Sequence, residues 1–292
     1  VITSVHVSKT IESLGQNTTE FYGAYNLKNI TVDKGNPIFY DINGVLFKRV
    51  SAGNLLIKYP EGKKQTEYII PQNVDIITQL SFKDSSKTKE MHNITIPDTV
   101  SEIWLQAFST TKVYLTLTHK DAATLNIQPL AFNYLQSGSK IIVRNAAIKE
   151  KVLAAMNECA ADVQVINLAD LPAEEQKDYL IPTTSLTWDG TNTTGSTTLK
   201  PGEKCQLNYR QLPVNSTDNV RWSSSDPAVA KVDAVTGLIE ASGGVNYGLK
   251  TGTTTITGTD ESGHSITLEV CVWNNIVEAK PFVVKNLLKY KD

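Results

Sequence analysis

The side chains best suited to catalysis or metal binding are scattered through this 292-residue sequence rather than grouped. The four histidines are His6, His92, His119 and His264, and the three cysteines are Cys159, Cys205 and Cys271. Zinc sites need such ligands at short, recurring spacings, and no pair here has one. No phosphate-binding loop, nucleophile elbow or zinc-binding helix motif is present either. The sequence therefore predicts no catalytic residue, no metal site and no cofactor.

Two pairs of adjacent carboxylates are candidate metal ligands. Glu174-Glu175 lies in a charged stretch and is interpreted as solvated charge. Asp260-Glu261 lies at a turn, where a calcium site is the open alternative to solvated carboxylates.

The three cysteines do not predict a disulfide framework, because their number is odd and their spacings are wide. A bridge between Cys205 and Cys271 is the open alternative. In residues 266–272 the apolar side chains alternate with Cys271, whereas Cys205 shares a strand face with Leu207. Cys205 is therefore expected to face the core and Cys271 to face away from it, which favours free thiols.

The composition argues against nucleic-acid binding and against a membrane-spanning segment. The formal net charge is −2 and 20% of the residues are charged, whereas nucleic-acid binders usually carry a basic stripe. No run of about 18 apolar residues occurs, so no transmembrane segment is expected in this chain. The sequence begins at Val1 inside patterned sequence and shows no signal peptide, as expected of either a mature exported chain or a chain trimmed at its start.

The elements that would position any functional side chain begin with a degenerate repeat. A small residue followed by phenylalanine recurs at Phe82, Phe108 and Phe132, which are 26 and 24 residues apart. Short strand-like runs stand beside these pairs, at residues 68–71, 93–97, 113–117 and 140–143. One strand per unit of about 20–29 residues is typical of a leucine-rich solenoid. Each unit buries one face only against its neighbours, so the core is continuous.

Alternation within these strands predicts which side chains leave the core. The residues expected to point outward, in one row across the sheet, are Ile69, Thr95, Tyr114, Thr116 and Ile142. Exposed aliphatic side chains beside a tyrosine are unusual for a strand face that has no partner. This row is the predicted ligand-binding site. The alternative is that capping segments or the following domain cover the face.

The repeat pattern stops after Val143. Residues 145–159 predict an amphipathic helix with Ile148, Val152, Leu153 and Met156 on its apolar side. We expect this helix, with a strand at 163–166, to cap the open end of the solenoid. Residues 171–179 form a charged linker with helical character.

The composition changes at Ile181, where threonine, serine and glycine become dominant. Short alternating runs follow at residues 185–188, 205–209, 220–222, 230–232, 253–256 and 266–272, separated by turn residues. About seven short strands in such a length are typical of an antiparallel β-sandwich. Trp222 is expected in its core rather than on a sugar-stacking surface.

The first region resembles the BspA-like leucine-rich repeat. The residues that carry this resemblance are Asn36-Pro37, Ile42 to Phe47, Leu55 to Pro60, Tyr68 to Pro71, and then Ile96 to Val100 with Ile103 and Ala107-Phe108. The match covers about residues 1–168. The family's usual Gly-Cys-x-x-Leu after the phenylalanine is missing, and a lysine- and serine-rich insertion at 83–89 interrupts one unit.

The second region resembles the group 2 bacterial immunoglobulin-like domain. The residues that carry this resemblance are Pro201 to Glu203, Trp222 to Pro227, Val229-Ala230, Val232, Thr236 to Ile239 and Gly252 to Ile256. Residues 242–250 are longer than the family's usual link, which predicts an enlarged loop.

The expected fold is therefore mainly β with minor α: a short leucine-rich-repeat solenoid with a helical cap, then an antiparallel immunoglobulin-like sandwich. The expected domains are residues 1–180, 181–275 and a tail at 276–292. The two resemblances imply an exported bacterial protein, extracellular or at the cell surface, that is not an enzyme. They imply adhesion through the repeat domain to a host or bacterial surface protein or a glycan. The alternatives are a structural spacer and an accessory module of a larger extracellular protein, including an extracellular enzyme.

Overall fold

A computed structural model describes residues 1–15, 21, 23–51, 53–83, 92–189, 195–214, 216–242 and 252–273. The predicted tail at 276–292, the enlarged loop and most of the insertion at 83–89 lie outside these residues. Strands dominate the described part of the chain. None of its helices has the length and apolar character needed to cross a membrane.

The chain opens with five strands that precede the regular repeats. They are β1 (Ser4–Val7), β2 (Asn29–Val32), β3 (Phe39–Ile42), β4 (Val45–Val50) and β5 (Gly53–Lys58). β1 and β2 pair in parallel, whereas β3, β4 and β5 form an antiparallel meander. Side chains of these strands, such as Ile30 and Leu46, and of the loop before β2, such as Leu27, build a separate hydrophobic cluster. This segment closes one end of the solenoid and shields its first layer.

The repeats form two parallel sheets that face each other. The strands are β6 (Glu67–Ile69), β7 (Ile76–Ile77), β8 (His92–Ile96), β9 (Glu102–Ile103), β10 (Val113–Leu117), β11 (Asn126–Ile127), β12 (Lys140–Val143) and β13 (Gln164–Asn167). One sheet has the order β13-β12-β10-β8-β6, and the other continues the meander as β11-β9-β7-β5-β4-β3. Ile94, Leu115 and Ile141 point between the sheets and are buried, which confirms the predicted orientation of these strands.

The phenylalanines of the repeat form a stack through the core. Ring centroids lie 5.3 Å apart for Tyr59 and Phe82, 4.8 Å for Phe82 and Phe108, and 5.5 Å for Phe108 and Phe132. Offset-stacked pairs at such distances stabilise a core beyond the area they bury. The recurring phenylalanine thus gives each layer the same filling and the same contact with the next layer.

Each unit also makes the same backbone turn. Leu80, Gln106 and Leu130, each two residues before a phenylalanine of the stack, have φ of 60°, 58° and 63°. The left-handed region is unfavourable for residues other than glycine. Thr110 and Tyr134, two residues after a phenylalanine, have φ of 56° and 53°. The turn is therefore imposed by the stacking of units and not by local preference.

A helix caps the other end of the solenoid, as predicted. α1 (Ala146–Ala154) starts at Asn145, whose side-chain oxygen accepts a hydrogen bond from the Ala147 backbone N–H. Ile148 and Val152 are buried against the repeat core. Leu153, predicted on the apolar side, is 44% exposed. The buried residues of the helix are Ile148 and Val152, which lie one turn apart. A short helix, α2 (Ala173–Gln176), follows in the charged linker.

The C-terminal part is a β-sandwich. Its strands are β14 (Ser185–Trp188), β15 (Ser196–Leu199), β16 (Lys204–Gln206), β17 (Tyr209–Leu212), β18 (Val220–Ser224), β19 (Ala230–Val232), β20 (Leu238–Ala241), β21 (Gly252–Asp260) and β22 (Ser265–Val272). They form sheets of order β15-β22-β21-β18, β16-β20-β19 and β14-β17. Pairing is antiparallel except between β15 and β22, which run parallel.

Trp222 lies in the sandwich core, as predicted, and is 4% exposed. Tyr209 packs edge-on against it, with ring centroids 5.4 Å apart. A Cβ atom on Gly258 would lie 2.5 Å from the Trp222 ring, so only glycine leaves room for the indole at this point of β21.

The strand predicted at 205–209 is instead two strands. β16 pairs with β20, whereas β17 pairs with β14, so the chain crosses between sheets at Leu207-Asn208. Alternation of residue types continues through such a crossing and does not reveal it. Cys205 packs against the core. The three cysteines are free thiols.

Candidate functional site

A groove of about 380 Å³ lies over the outward face of the repeat sheet. Its floor contains all five residues of the predicted site, Ile69, Thr95, Tyr114, Thr116 and Ile142. Its opposite wall comes from the linker and the sandwich, through Asp178, Tyr179, Ile181 and Thr217. The outward sheet face is thus the bottom of a groove and not an open plane.

Strand register divides the floor into two rows. Tyr114 lies opposite Asn93 on β8 and opposite Lys140 on β12, and Asn93 lies opposite Glu67 on β6. We call Glu67, Asn93, Tyr114 and Lys140 the polar row. The prediction of a single row was wrong for Tyr114, which is displaced by two residues along its strand from the other four.

The second row is less polar. Thr116 lies opposite Thr95 on β8 and opposite Ile142 on β12, and Thr95 lies opposite Ile69 on β6. We call Ile69, Thr95, Thr116 and Ile142 the inner row. Two threonine hydroxyls lie at the centre of this row and one isoleucine lies at each end.

Ile142 is 2% exposed, so the prediction that it is an exposed aliphatic residue was wrong. It belongs to the outward face, but Ile181 and Thr217 line the same groove beside it. Residues of the following domain thus lie over part of this face, in agreement with the alternative that this domain covers it. Ile69, Thr95, Tyr114 and Thr116 remain partly exposed.

The polar row carries opposite charges at its two ends. Glu67 and Lys140 are separated by three strand spacings of about 4.8 Å, or roughly 14 Å. The Lys140 ammonium lies 5.8 Å from the centroid of the Tyr114 ring, within reach of a cation–π contact. The polar row thus offers hydrogen-bonding groups, and its opposite end charges favour one orientation of a bound ligand.

The second wall of the groove is held in place by contacts between the two regions. The Glu261 carboxylate accepts hydrogen bonds from Arg144 at 2.9 Å, Lys120 at 2.8 Å and the Asn219 amide at 2.9 Å. Arg144 also donates to the Thr217 carbonyl at 3.2 Å. Burial alone would raise the pKa of Glu261, but Lys120 and Arg144 outweigh this effect and lower it. Glu261 is therefore a charged anchor of the junction.

Two further contacts complete this junction. Asp98 is buried and pairs with Arg221. Burial raises the pKa of Asp98, although the hydrogen bond and charge of Arg221 oppose the rise. Thr118 and Asn219 exchange two hydrogen bonds, of 2.7 and 3.0 Å. Charged and neutral contacts thus fix the two regions at several points.

The other candidate ligand residues, Asp260, Glu261 and His264, form contacts within the protein. Asp260 accepts from the His264 backbone N–H at 2.8 Å, and its second oxygen lies 3.1 Å from the His264 ring. Because Asp260 and Glu261 both hold protein groups, the calcium alternative finds no support. Within the described ranges, no three histidine, cysteine or acidic side chains come together as a metal-binding group.

Sequence reasoning missed the residues of the second wall. Tyr179, Ile181 and Thr217 come from a linker and a sandwich loop, and no repeat or alternation marks them. Ile181 donates its backbone N–H to the Thr217 hydroxyl at 2.9 Å, which ties the linker to that loop. The change in composition at Ile181 marked the boundary between the two domains, but it did not indicate that residues near this boundary line the groove.

Several solved structures resemble parts of the chain. A leucine-rich cell surface protein from Faecalibacterium prausnitzii is 17% identical over 61% of this chain and 50% of its own, with a TM-score of 0.36. A leucine-rich repeat protein from Eubacterium ventriosum is 18% identical over 57% of this chain and 49% of its own, with a TM-score of 0.32. The pneumococcal vaccine antigen PcpA is 16% identical over 56% of each chain, with a TM-score of 0.30. This chain thus spans about half the length of these proteins, and likeness at this level carries no functional argument.

The family comparisons are more specific. No curated protein is a significant match to the sequence. Residues 59–167 match the BspA type leucine rich repeat region in six copies. Residues 189–270 match the bacterial Ig-like domain of group 2. Proteins with these two kinds of domain are typically surface proteins and protein-interaction modules. The chain therefore combines a BspA-type leucine-rich repeat region with a group 2 bacterial immunoglobulin-like domain.

Proposed function

We propose that this chain is a non-catalytic binding module of an exported cell-surface protein, and that it recognises a protein or glycan through the groove over its repeat sheet. The observation that carries the proposal is that the polar row and the inner row line one open groove of about 380 Å³. This volume lies in the range of about 300–1,000 Å³ that is usual for ligand pockets.

The chemistry of the groove suits recognition more than catalysis. The two rows supply hydroxyl, amide and aromatic groups, and oppositely charged side chains stand at the ends of the polar row. Tyrosine combines a large apolar ring with a polar tip and is enriched where proteins bind one another. The pKa of the Tyr68 hydroxyl, beneath the floor, is raised by burial, so Tyr68 is a neutral core residue and not a candidate base.

A protein segment is the favoured ligand of the two. The charges of Glu67 and Lys140 favour an extended segment with a basic group at one end and an acidic group at the other. The inner row offers apolar contact beside them. Because the proposal places this chain at the cell surface, we expect the partner to be a host or bacterial surface protein.

The test is a binding screen of the intact chain against extracellular-matrix proteins and a glycan array. Thr116→Arg places a long charged side chain in the middle of the groove and should weaken binding at least tenfold. Thr267→Arg is the matched control, because Thr267 is an exposed strand threonine of the sandwich and not of the groove. Equal affinity of the two variants for a ligand would reject the groove as its site.

A second candidate function is that of a structural spacer, which the contacts of Glu261 and Asp98 at the junction favour. A spacer needs a fixed angle between its domains and no ligand of its own. Small-angle scattering that fits one rigid shape, together with no hit in the binding screen, would favour this function.

A further inference from the structure

A second cleft, of about 450 Å³, opens between the repeats and the β-sandwich. Ile69 lines both this cleft and the groove described above. One wall follows β6 and includes Pro71, Gln72 and Asn73. The other wall is formed by β17 and the residues before it, including Asn208.

Three carboxamides in this cleft have unused hydrogen-bonding capacity. Gln72, Asn73 and Asn208 are half-buried, and their side chains form no hydrogen bond with any other described residue. Gln211, by contrast, donates to the Thr183 hydroxyl at 2.9 Å and to the Asp218 carbonyl at 3.0 Å. Their amide groups are accessible and have no protein partner, so a ligand that enters the cleft can exchange water for hydrogen bonds to all three.

The charges around the amides cancel. Asp189 and Arg210 both line the cleft and carry opposite signs. A strongly charged ligand would be attracted by one of them and repelled by the other. A carboxamide offers two donors and an acceptor side by side, and a ligand hydroxyl both donates and accepts. The matching chemistry is that of a neutral compound with several hydroxyl groups.

Apolar surface in the same cleft completes the match. Pro71, Leu207 and Val214 line it, and they suit the less polar faces of a sugar ring. We propose that the cleft between the repeats and the β-sandwich binds a neutral saccharide, with Gln72, Asn73 and Asn208 as its hydrogen-bonding residues. This site is separate from the groove of the proposed function and does not depend on it.

The junction contacts connect the repeats to the β-sandwich, and these two regions carry the walls of the cleft. Glu261 holds Arg144, Lys120 and Asn219 at 2.8–2.9 Å, and Asp98 pairs with Arg221. A preformed site does not spend binding free energy on ordering its walls. Short oligosaccharides therefore suffice as probes.

The test titrates the intact chain with maltotriose and chitotriose by calorimetry and by chemical-shift perturbation. A heparin tetrasaccharide serves as the anionic comparison. We expect a neutral trisaccharide to bind, and the double variant Asn73→Ala/Asn208→Ala to bind it at least tenfold more weakly. Because neither side chain forms a hydrogen bond within the described residues, the variant should keep the melting temperature of the wild type.

Asn126→Ala is the matched control, because Asn126 is an exposed asparagine on the other sheet of the repeats. It should bind the trisaccharide as the wild type does. Absence of binding by both neutral trisaccharides at millimolar concentration would overturn the proposal, as would binding that the double variant retains. Binding of the heparin tetrasaccharide alone, lost in Arg210→Gln, would identify an anion site instead.

Discussion

Arg144 of the repeat region and Glu261 of the β-sandwich form an ion pair across the junction, with 2.9 Å between Nη2 and Oε2. The two side chains are only 12% and 22% exposed. A pair this far removed from water is screened less by salt than a pair on an open surface. The orientation of the sandwich, and with it the second wall of the groove, depends on this contact.

Glu261→Gln should loosen the junction while both regions stay folded. Hydrogen bonds to a charged group contribute about 1.5–3 kcal/mol each when buried and less when exposed, so a loss of about 1–2 kcal/mol at the junction is expected. The distribution of distances between spin labels on the two regions should become broader in the variant. Glu269→Gln, on an exposed position of β22, should leave them unchanged.

The same carboxylate predicts a dependence on pH. The pKa of Glu261 lies below its ordinary value of 4.5 in the folded chain. Its stabilising contribution is therefore present above about pH 4.5 and is lost as the pH falls through the lower, folded value. Spin-label distances that broaden with falling pH in the wild type, and change less in Glu261→Gln, would support this assignment. Equal pH responses would contradict it.

Phe108→Ala should destabilise the whole repeat region by about 3–5 kcal/mol. Phe108 stacks on Phe82 on one side and Phe132 on the other, so its loss breaks the contact between neighbouring layers. In a solenoid each layer depends on its neighbours. Denaturant unfolding followed by far-ultraviolet circular dichroism measures the effect. Tyr134→Ala, which truncates an exposed aromatic residue of the same unit, should cost far less.

Leu130→Gly should destabilise the chain less than a leucine-to-glycine change usually does. Leu130 has φ of 63°, a conformation that costs about 1–2 kcal/mol for residues other than glycine. Leu130 is only 36% exposed, so the variant loses apolar contacts as well as backbone entropy, and the relief of strain offsets part of this cost. Leu153→Gly, at an exposed helical position in α1, gains no such relief and should lower the free energy of unfolding by about 1 kcal/mol more than Leu130→Gly. Equal losses in the two variants would refute the argument.

His119 should make the repeat region sensitive to weak acid. It is fully buried, and its Nε2 lies 2.7 Å from the Val100 carbonyl. Burial, together with the charge of Arg221, lowers the pKa of His119 to about 4, although the Val100 hydrogen bond opposes the change. The unfolded chain takes up this proton near pH 6.5 and the folded chain only near pH 4. The free energy of unfolding should therefore fall by about 3 kcal/mol between these values.

His119→Gln tests this prediction because it removes the titrating group and keeps an amide donor near the position of Nε2, which contacts the Val100 carbonyl. The difference in unfolding free energy between wild type and variant, measured from pH 7 to pH 4, isolates the contribution of His119 from that of the carboxylates. A constant difference across that range would show that His119 does not titrate on unfolding.

Local pattern was sufficient to predict the layers of the fold. The spacing of Phe82, Phe108 and Phe132 predicted the stacked units because identical layers require identical filling. Alternation predicted the buried face of each strand because the side-chain period of a strand is two. It also selected five of the eight residues in the two rows of the groove floor, but not Glu67, Asn93 or Lys140.

Contacts between distant parts of the chain were beyond such reasoning. The offset of Tyr114 from Thr116 across the sheet depends on how β8, β10 and β12 align, and units of unequal length leave that register open. Ile142 shares its groove with Ile181, which lies about forty residues away in the sequence. The anchor Glu261 was noticed only as part of a carboxylate pair, because its partners Arg144 and Lys120 belong to another region.

The parallel pairing of β15 with β22 has a mechanical consequence. Four residue pairs, from Ser196 with Glu269 to Leu199 with Val272, connect a strand near the start of the sandwich to its last described strand. Tension applied through the chain would pull these two strands past each other lengthwise. All the hydrogen bonds between them would then bear load at once instead of opening one after another. This domain would therefore resist stretching when it is pulled through β15 and β22.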